Sequence, residues 1–333
     1  MKTCVALDLD GSLESMSNTM LDLATALEKS PSLELRRFHS SSKRKSPKEL
    51  RIRRRRWRQR RWLVGRGKAF DKLFPAVNLV HVAGDALPPT NYIPLVISVD
   101  DLRPLRSKAK AHPRIKELQR ALDKGATLVV STRTGSHEVQ EVMNCRRNQI
   151  VVAPPVIPTQ PPVEMGDCVV VNVAGGQERL LARLPEITAF AKSVNSEVLV
   201  LGSRAVNREI RGKVGTVRLV SRLKAAETLQ RARVLIDMSD GARFPSLCVA
   251  ALSAGVPTMA RFSDINFEVL GGCAALVEPD QEFIESLREL WHNESRRKLL
   301  RAAGIERARD FEPNAVALRY LSIYRDILRD YSA

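Results

Sequence analysis

Short apolar runs alternate with segments in which apolar residues recur at helical spacing along most of this chain. Apolar runs of four to eight residues bounded by turn residues are typical of buried strands, and apolar residues three and four apart indicate helices. The first half is predicted to contain strands at residues 3–9, 77–82, 95–99, 126–130 and 149–153 and helices at 20–27, 113–122 and 136–143. This alternation predicts a parallel sheet wound with helices.

Five prolines among the nine residues 154–162 predict an extended linker, because proline cannot donate to a sheet ladder or sit inside a helix. The pattern then restarts, with strands predicted at 168–173, 197–201, 217–220, 234–238, 257–261 and 274–277 and helices at 180–194, 225–231, 245–254, 282–291, 295–309 and 314–331.

The expected fold is therefore α/β, with two doubly wound Rossmann-like domains that face each other across a cleft, where ligands meet the carboxyl ends of the strands. We place the first domain at residues 1–160, with a basic insert at 36–72, and the second at 161–313. A final helix at 314–333 is expected to return to the first domain.

Length and composition narrow the class of protein. The 333 residues are 44% hydrophobic, which excludes wholesale disorder. The apolar runs fall far short of the roughly 20 residues that a membrane-spanning helix needs. We do not expect the first residues to act as a signal peptide, since acidic residues interrupt a short apolar stretch. Five scattered cysteines show neither metal spacing nor an even disulfide framework, which favours a reducing cytoplasm.

The formal charge of +17 is concentrated in one segment. Residues 36–72 contain 17 basic and two acidic residues, whereas the rest of the chain has a net charge of only +2. Binding to an anionic membrane, binding to nucleic acid and a solvated loop are all compatible with such a segment. The candidate membrane-binding residues are Arg53, Arg54, Arg55, Arg56, Trp57, Arg58, Arg60, Arg61 and Trp62.

The second half resembles the donor-binding domain of family-4 type glycosyltransferases of GT-B architecture. The similarity rests on SDGARFPSL at residues 239–247, ALSAGVP at 251–257 and the segments around residues 268–280 and 308–324. The first half resembles the acceptor domain of the family more loosely, through ALDL at residues 6–9, LPP at 87–89 and ISVDDL at 97–102.

The resemblance implies that a sugar is transferred, with retention of its anomeric configuration, from a nucleotide-sugar donor to an acceptor. The nucleotide-sugar is the substrate, and we expect no separate cofactor and no metal. Glycines at a turn and free N–H groups at a helix start near Pro245 would approach the diphosphate. The donor-binding residues that we assign are Gly175, Gly176, Arg179, Arg204, Asp240, Gly241, Arg243, Phe244, Pro245, Ser246 and Leu247.

The catalytic candidates are Asp101 and Asp100, at the expected carboxyl end of a strand, and Glu268 on the donor side. Asp100 or Asp101 would serve the acceptor or act as a base, whereas Glu268 would contact the sugar. We assign the five isolated histidines to structural or exposed positions. Asp8 and Asp10 also resemble the first motif of haloacid-dehalogenase-type phosphatases, with Asp237 and Asp240 as metal ligands, which gives a minor alternative.

The chain departs from the family at its two glutamates, which fall on Ala242 and Ala250. Other functional positions of the family also change: the cationic pair falls near Leu180 and Leu181, and the acceptor-side histidine is replaced. Two interpretations stay open: an active glycosyltransferase, or a catalytically degenerate paralogue that acts as a partner or membrane-docking subunit, in a homo- or hetero-oligomer with an active paralogue.

The position of the basic insert in the acceptor-type domain favours one partner over another. A basic segment with tryptophans in that domain suits an anionic membrane surface that carries a lipid-linked acceptor better than nucleic acid. We therefore expect a cytoplasmic protein that is peripheral at the inner face of the membrane.

Overall fold

A computed structural model describes residues 2–9, 14–39, 50–51, 76–83, 90, 92–99, 113–164, 166–175, 177–203, 207–208, 211, 217–241, 243–278 and 283–332. The chain divides into two compact units. The first unit combines Met1–Val156 with Pro313–Ala333, and the second unit is Ile157–Glu312.

Parallel strands form the sheet of the first unit. Its described strands are β1 (Thr3–Asp8), β2 (Leu33–His39), β3 (Leu50–Arg51), β4 (Leu79–Ala83), β5 (Leu95–Val99), β6 (Thr127–Val130) and β7 (Ile150–Val152). They lie in the order β3-β2-β1-β4-β5-β6-β7. Helices α1 (Glu14–Leu27), α2 (Pro113–Asp123) and α3 (Arg133–Val142) connect strands of this sheet. The switch from descending to ascending order lies between β1 and β4, as in a doubly wound sheet.

The second unit repeats this topology. Its described strands are β8 (Cys168–Val173), β9 (Val198–Gly202), β10 (Arg218–Ser221), β11 (Ala232–Asp237), β12 (Thr258–Arg261) and β13 (Ala275–Val277), in the order β10-β9-β8-β11-β12-β13. All of these pairs are parallel. The described helices are α4 (Gln177–Ser193), α5 (Ala225–Leu229), α6 (Ser246–Ser253), α7 (Asp264–Leu270), α8 (Phe283–His292) and α9 (Glu294–Ala308).

Helices cover both faces of the second sheet, which explains why β8 is an uninterrupted buried run. Helices α4 and α8 pack on one face through Leu184 and Leu287. Helix α6 packs on the other face, where Phe244 and Phe311 meet edge to face with ring centroids 5.3 Å apart.

The last helix, α10 (Pro313–Ser332), packs on α1 in the first unit. Its residues Val316, Tyr320 and Tyr324 are buried in the same core as Met20 and Leu23. An amphipathic helix of this length is stabilised mainly by such packing.

Strands β2 and β3 and helix α7 were not expected from the apolar pattern. Strand β2 includes the first residues of the basic segment, so Arg36 and Arg37 lie in a sheet. Arg37 Nη2 lies 2.6 Å from Glu28 Oε2 in an ion pair. Helix α7 begins after Ser263, whose side chain accepts from the Asn266 amide at 3.1 Å.

The proline-rich segment is extended, but part of it is packed into the protein. Residues 153–157 are buried, with Val156 in the core of the first unit and Ile157 in that of the second. The units therefore divide at residue 156 instead of 160, because consecutive apolar side chains belong to different cores.

Candidate functional site

A buried carboxylate lies at the end of β11, beside the switch point of the second sheet. Asp237 Oδ1 accepts from Asn172 Nδ2 at 2.6 Å, and Oδ2 accepts from Ser239 Oγ at 2.7 Å. The Ser239 amide also points at Oδ1, at 3.3 Å. Asn172 and Asp237 are each 3% exposed. These bonds fix the geometry where β8 and β11 separate, which is where doubly wound sheets bind ligands.

The same carboxylate lies beside the first turn of α6. Burial first, and then the Asp237 carboxylate, raise the pKa of the Cys248 thiol in that turn well above its usual value. Burial lowers the pKa of Arg222, and Asp237 partly opposes that shift. A negative charge is favourable at a helix N-terminus. The protein therefore places one of its own anions near the helix start that we expected to hold a phosphate.

The helix start itself departs from expectation in one atom. The Ser246 amide donates to Phe244 O at 2.8 Å, so this N–H is used within the loop. No side chain caps α6, whose cap residue is Pro245, among the part of the chain described. We expected free N–H groups at this helix start, and the Ser246 N–H is not free.

A pocket of about 280 Å³ opens at the carboxyl ends of β11, β12 and β13, against α4 and α8. Among the described residues that line it, the arginines are Arg179, Arg183 and Arg261 and the acids are Asp237 and Glu278. We call this the arginine pocket. The three arginines outnumber the two acids among the described lining residues, so this lining has a net positive formal charge, which suits an anionic ligand.

Helix α4 and strand β12 hold the three guanidinium groups. Arg179 and Arg183 are one turn apart on α4, where residues four apart share a face. Arg179 Nε points at Met238 O at 3.4 Å. Arg183 lies over the Phe283 ring, 5.5 Å from its centroid, and donates to Glu186 at 3.1 Å. Arg261 is the last residue of β12.

Two nitrogen atoms of this pocket still have hydrogen-bonding capacity. Arg179 Nη2 and Arg261 Nε are buried and have no acceptor among the residues that the structure describes. A buried donor without an acceptor is destabilising. Phosphate or carboxylate oxygens could supply the acceptors after a small side-chain movement, since guanidinium groups match both geometrically.

The predicted donor residues occupy different places. Gly175 and Gly241 have φ of 73° and 66°, which favours glycine at both turns. Phe244 and Leu247 are buried in the core of the second unit. Arg243 is half-buried, and its positive charge contributes to lowering the pKa of Arg222. Of the predicted donor residues, Arg179 lines the arginine pocket.

Glu268 lies near the end of α7 and is half-buried. Its carbonyl oxygen accepts from Arg307 Nη2 at 3.0 Å, which ties α7 to α9. Asp240 is half-buried in the loop that follows β11. The other predicted site residues lie outside the described ranges: Gly176, Arg204, Asp100, Asp101, Arg53, Arg54, Arg55, Arg56, Trp57, Arg58, Arg60, Arg61 and Trp62. Ala242 also lies outside them, whereas Ala250 packs against the core of α6.

Sequence reasoning missed Arg261 and Glu278 as site residues. Arg261 is the last residue of β12, and Glu278 directly follows β13. A charged residue at the carboxyl end of a predicted strand could have indicated both as site residues. Asn172 could also have been identified from the sequence, since its side-chain amide lies within a buried run of valines and needs a hydrogen-bonding partner there. His81 is isolated in the sequence, but in the fold it is buried with two hydrogen-bonding partners.

The described residues contain neither a candidate metal site nor a candidate membrane-spanning helix. No cluster of three or more histidine, cysteine, aspartate or glutamate side chains is arranged to hold a metal ion within the described ranges. No described helix is both long enough and apolar enough to cross a membrane.

No protein-family model matches this chain, and no curated protein sequence matches it. Solved structures do. A sucrose-phosphate synthase from Thermosynechococcus elongatus matches with a TM-score of 0.73 and 16% identity, covering 99% of this chain and 100% of that one. AviGT4, a glycosyltransferase involved in avilamycin A biosynthesis, matches with a TM-score of 0.64 and 13% identity, covering 99% of each chain.

A third match is assigned as a UDP-N-acetylglucosamine 2-epimerase from Listeria monocytogenes, with a TM-score of 0.67 and 17% identity over 99% of this chain and 98% of that one. These similarities show the fold, which is α/β with two Rossmann-like units and is of GT-B type. Because an epimerase shares it with glycosyltransferases, the fold by itself does not define the reaction.

Proposed function

We propose that the protein is a glycosyltransferase of GT-B type whose second unit binds a nucleotide-sugar. The arginine pocket carries this proposal. A nucleoside diphosphate carries about two negative charges and needs cations and N–H donors when it leaves water. Arg179, Arg183 and Arg261 supply these at the carboxyl ends of the strands, next to the switch point at Asp237.

In the proposed reaction, the bond between the anomeric carbon and the diphosphate oxygen breaks, and the acceptor oxygen bonds to the same carbon with retention of configuration. The acceptor hydroxyl proton leaves with the released phosphate or with a base. Cations that hold the diphosphate stabilise the charge that develops on it. Asp100 or Asp101 is our proposed acceptor-side group, and Glu268 our proposed contact to the sugar.

We further propose that the acceptor is attached to a membrane lipid. The support is the basic segment 36–72 in the acceptor-type domain, with its net charge of +15 and its tryptophans. The nucleotide-sugar is the substrate in this proposal, with no added cofactor or metal.

A catalytically degenerate partner protein is the second candidate. Ala250, at a position where the family has glutamate, packs against the core and cannot hydrogen-bond a ribose. The buried Asp237 beside α6 also occupies a place favourable to an anion. A chain of this kind would keep the fold and act as a partner or membrane-docking subunit for an active paralogue.

The phosphatase alternative has less support. Its nucleophile would be Asp8, the last residue of β1, which is 0% exposed. A nucleophile must reach its substrate within hydrogen-bonding distance. Its proposed metal ligand Asp237 is engaged by Asn172 and Ser239 instead.

The decisive experiment is a titration of nucleoside diphosphates and their sugars, with binding measured by calorimetry and by the melting temperature. Arg261→Gln should weaken binding tenfold or more, because it removes a charge-assisted hydrogen bond. Arg288→Gln is the matched control: it removes the same charge from an exposed position on α8, where 61% of the side chain is accessible.

Each result has a clear meaning. A ligand present at 100 times its dissociation constant should stabilise the protein by about 2.7 kcal/mol. Binding with sugar transfer supports the enzyme, whereas binding without transfer to any alcohol acceptor favours the partner. Unchanged melting with every nucleotide, or equal effects of Arg261→Gln and Arg288→Gln, would overturn the donor-site proposal.

A further inference from the structure

A buried histidine links three elements of the first unit. His81 in β4 is 0% exposed, and its Nδ1 lies 2.7 Å from the Tyr324 hydroxyl of α10. Its Nε2 lies 2.8 Å from Ser98 Oγ in β5. The Tyr320 ring stacks on the imidazole with centroids 5.6 Å apart. We call Tyr324, His81 and Ser98 the His81 chain.

The hydrogen atoms of this chain have one satisfactory arrangement. Tyr324 is 1% exposed, and His81 is its hydrogen-bond partner among the described residues. If the phenol accepted from the imidazole, its own O–H would be a buried donor without an acceptor. The phenol therefore donates to Nδ1. A neutral imidazole has one acceptor and one donor, so Nε2–H donates to Ser98 Oγ.

The imidazole is suited to this role because it stays neutral. Burial lowers the pKa of His81 to about 3, so the ring is uncharged at neutral pH. A base with so low a pKa is a poor proton acceptor near pH 7. His81 therefore positions hydrogen bonds and does not take up the proton of a substrate.

The direction of these bonds determines what Ser98 can do. Its oxygen accepts from His81, so its own O–H is available to donate in another direction. Ser98 is half-buried and lines a cavity of about 30 Å³, together with Ser131, Tyr320 and Thr19. That volume holds one water-sized group. No charged side chain lines this cavity within the part of the chain that the structure describes.

We propose that Ser98 binds a neutral oxygen of the ligand, the hydroxyl of an alcohol or polyol, by donating a hydrogen bond that the His81 chain orients. This rests on the proposed function, in which the first unit serves the acceptor. Ser98 is the binding residue, and His81 and Tyr324 are positioning residues. An uncharged cavity with a hydroxyl donor suits a neutral oxygen better than a phosphate.

The first test reads the imidazole by nitrogen-15 NMR on the full chain. We expect Nε2 to carry the proton and Nδ1 to accept, with no titration between pH 8 and pH 5. Tyr324→Phe should change the Nδ1 signal by removing its donor. Tyr320→Phe is the matched control, because it keeps the stacked ring and leaves Tyr324 in place. Protonation at Nδ1 in the unmodified protein would overturn the direction of the chain.

The second test uses glycerol as the polyol probe. Glycerol should shift the His81 Nε2 signal saturably, Ser98→Ala should abolish that shift or weaken binding at least tenfold, and Ser98→Thr should restore it. The absence of a shift in the unmodified protein, or an equal shift in Ser98→Ala, would overturn the ligand role. Nucleoside diphosphate titrations of the same samples report the donor site separately, so failure of the proposed function is distinguished from failure of this proposal.

Discussion

His81 shows how one residue can make folding depend on pH. Burial lowers its pKa to about 3, against an ordinary value near 6.5 in an unfolded chain. The unfolded chain therefore binds the proton more readily than the folded one. The resulting stabilisation is fully present above about pH 6.5 and is lost as the pH falls toward 3.

The expected result is a free energy of unfolding that falls by about 1.4 kcal/mol per pH unit from this group between pH 6 and pH 4. Urea unfolding at pH 8, 6, 5 and 4 measures it. His81→Gln should be less stable at pH 8 but should show a shallower fall. Parallel curves for the two proteins would contradict a buried neutral imidazole.

At the scale of elements, the contact between α6 and α9 depends on glycine. Gly255 lies just after the C-terminal end of α6 with φ of 74°, and its carbonyl oxygen accepts from Arg301 Nη1 of α9 at 2.9 Å. A Cβ at Gly255 would lie 2.7 Å from Arg301 Cζ. At Gly304 on α9, a Cβ would lie 2.9 Å from Leu252 Cδ2 of α6.

Gly255→Ala should lower the free energy of unfolding by about 1–3 kcal/mol, since it combines a positive φ with displacement of Arg301. Gly272→Ala is the matched control, because Gly272 has φ of 79° and a Cβ added there would meet no described atom within 4 Å. The free energy of unfolding should fall by about 1 kcal/mol less in Gly272→Ala than in Gly255→Ala. That difference is the typical contribution of one hydrogen bond, here the one between Arg301 and Gly255. Calorimetry of both variants decides, and equal losses would show that the Arg301 contact contributes little.

At the scale of the whole molecule, charge is distributed unevenly along the chain. The segment 36–72 has a net charge of +15, and the remaining residues have +2. Such a distribution attracts an anionic surface to one part of the chain, and salt weakens the attraction.

The protein should therefore pellet with anionic liposomes at low salt and be released at high salt. Replacing the four arginines 53–56 by glutamine should reduce binding at least tenfold, since each basic residue near the lipid contributes about 1 kcal/mol. A control removes four exposed charges elsewhere by replacing Arg288, Lys298, Arg309 and Arg329 with glutamine. Equal loss in both variants would mean that net charge, and not the segment, controls binding.

The sequence predicted the two sheets well because their strands are apolar and bounded by turns. The apolar run 168–173 is β8 and the run 95–99 is β5, with the same bounds. Strand β2 was missed because Glu34, Arg36 and Arg37 interrupt its apolar pattern. The arginine pocket and the His81 chain could not be predicted, since Tyr324 is 243 residues from His81 in sequence and only the tertiary fold brings them together.

The chain leaves the first unit after Val156 and returns to it at Pro313. During synthesis, the second unit can therefore emerge from the ribosome and fold before α10 exists. Until then, the apolar side chains of Met20 and Leu23 lack their partners Tyr320 and Tyr324. At roughly 5–20 residues per second, the 156 residues from Ile157 to Glu312 keep that surface exposed for about 8–30 seconds. The unit that is made first is completed last, and the nascent chain exposes a natural binding surface for a chaperone in the interval.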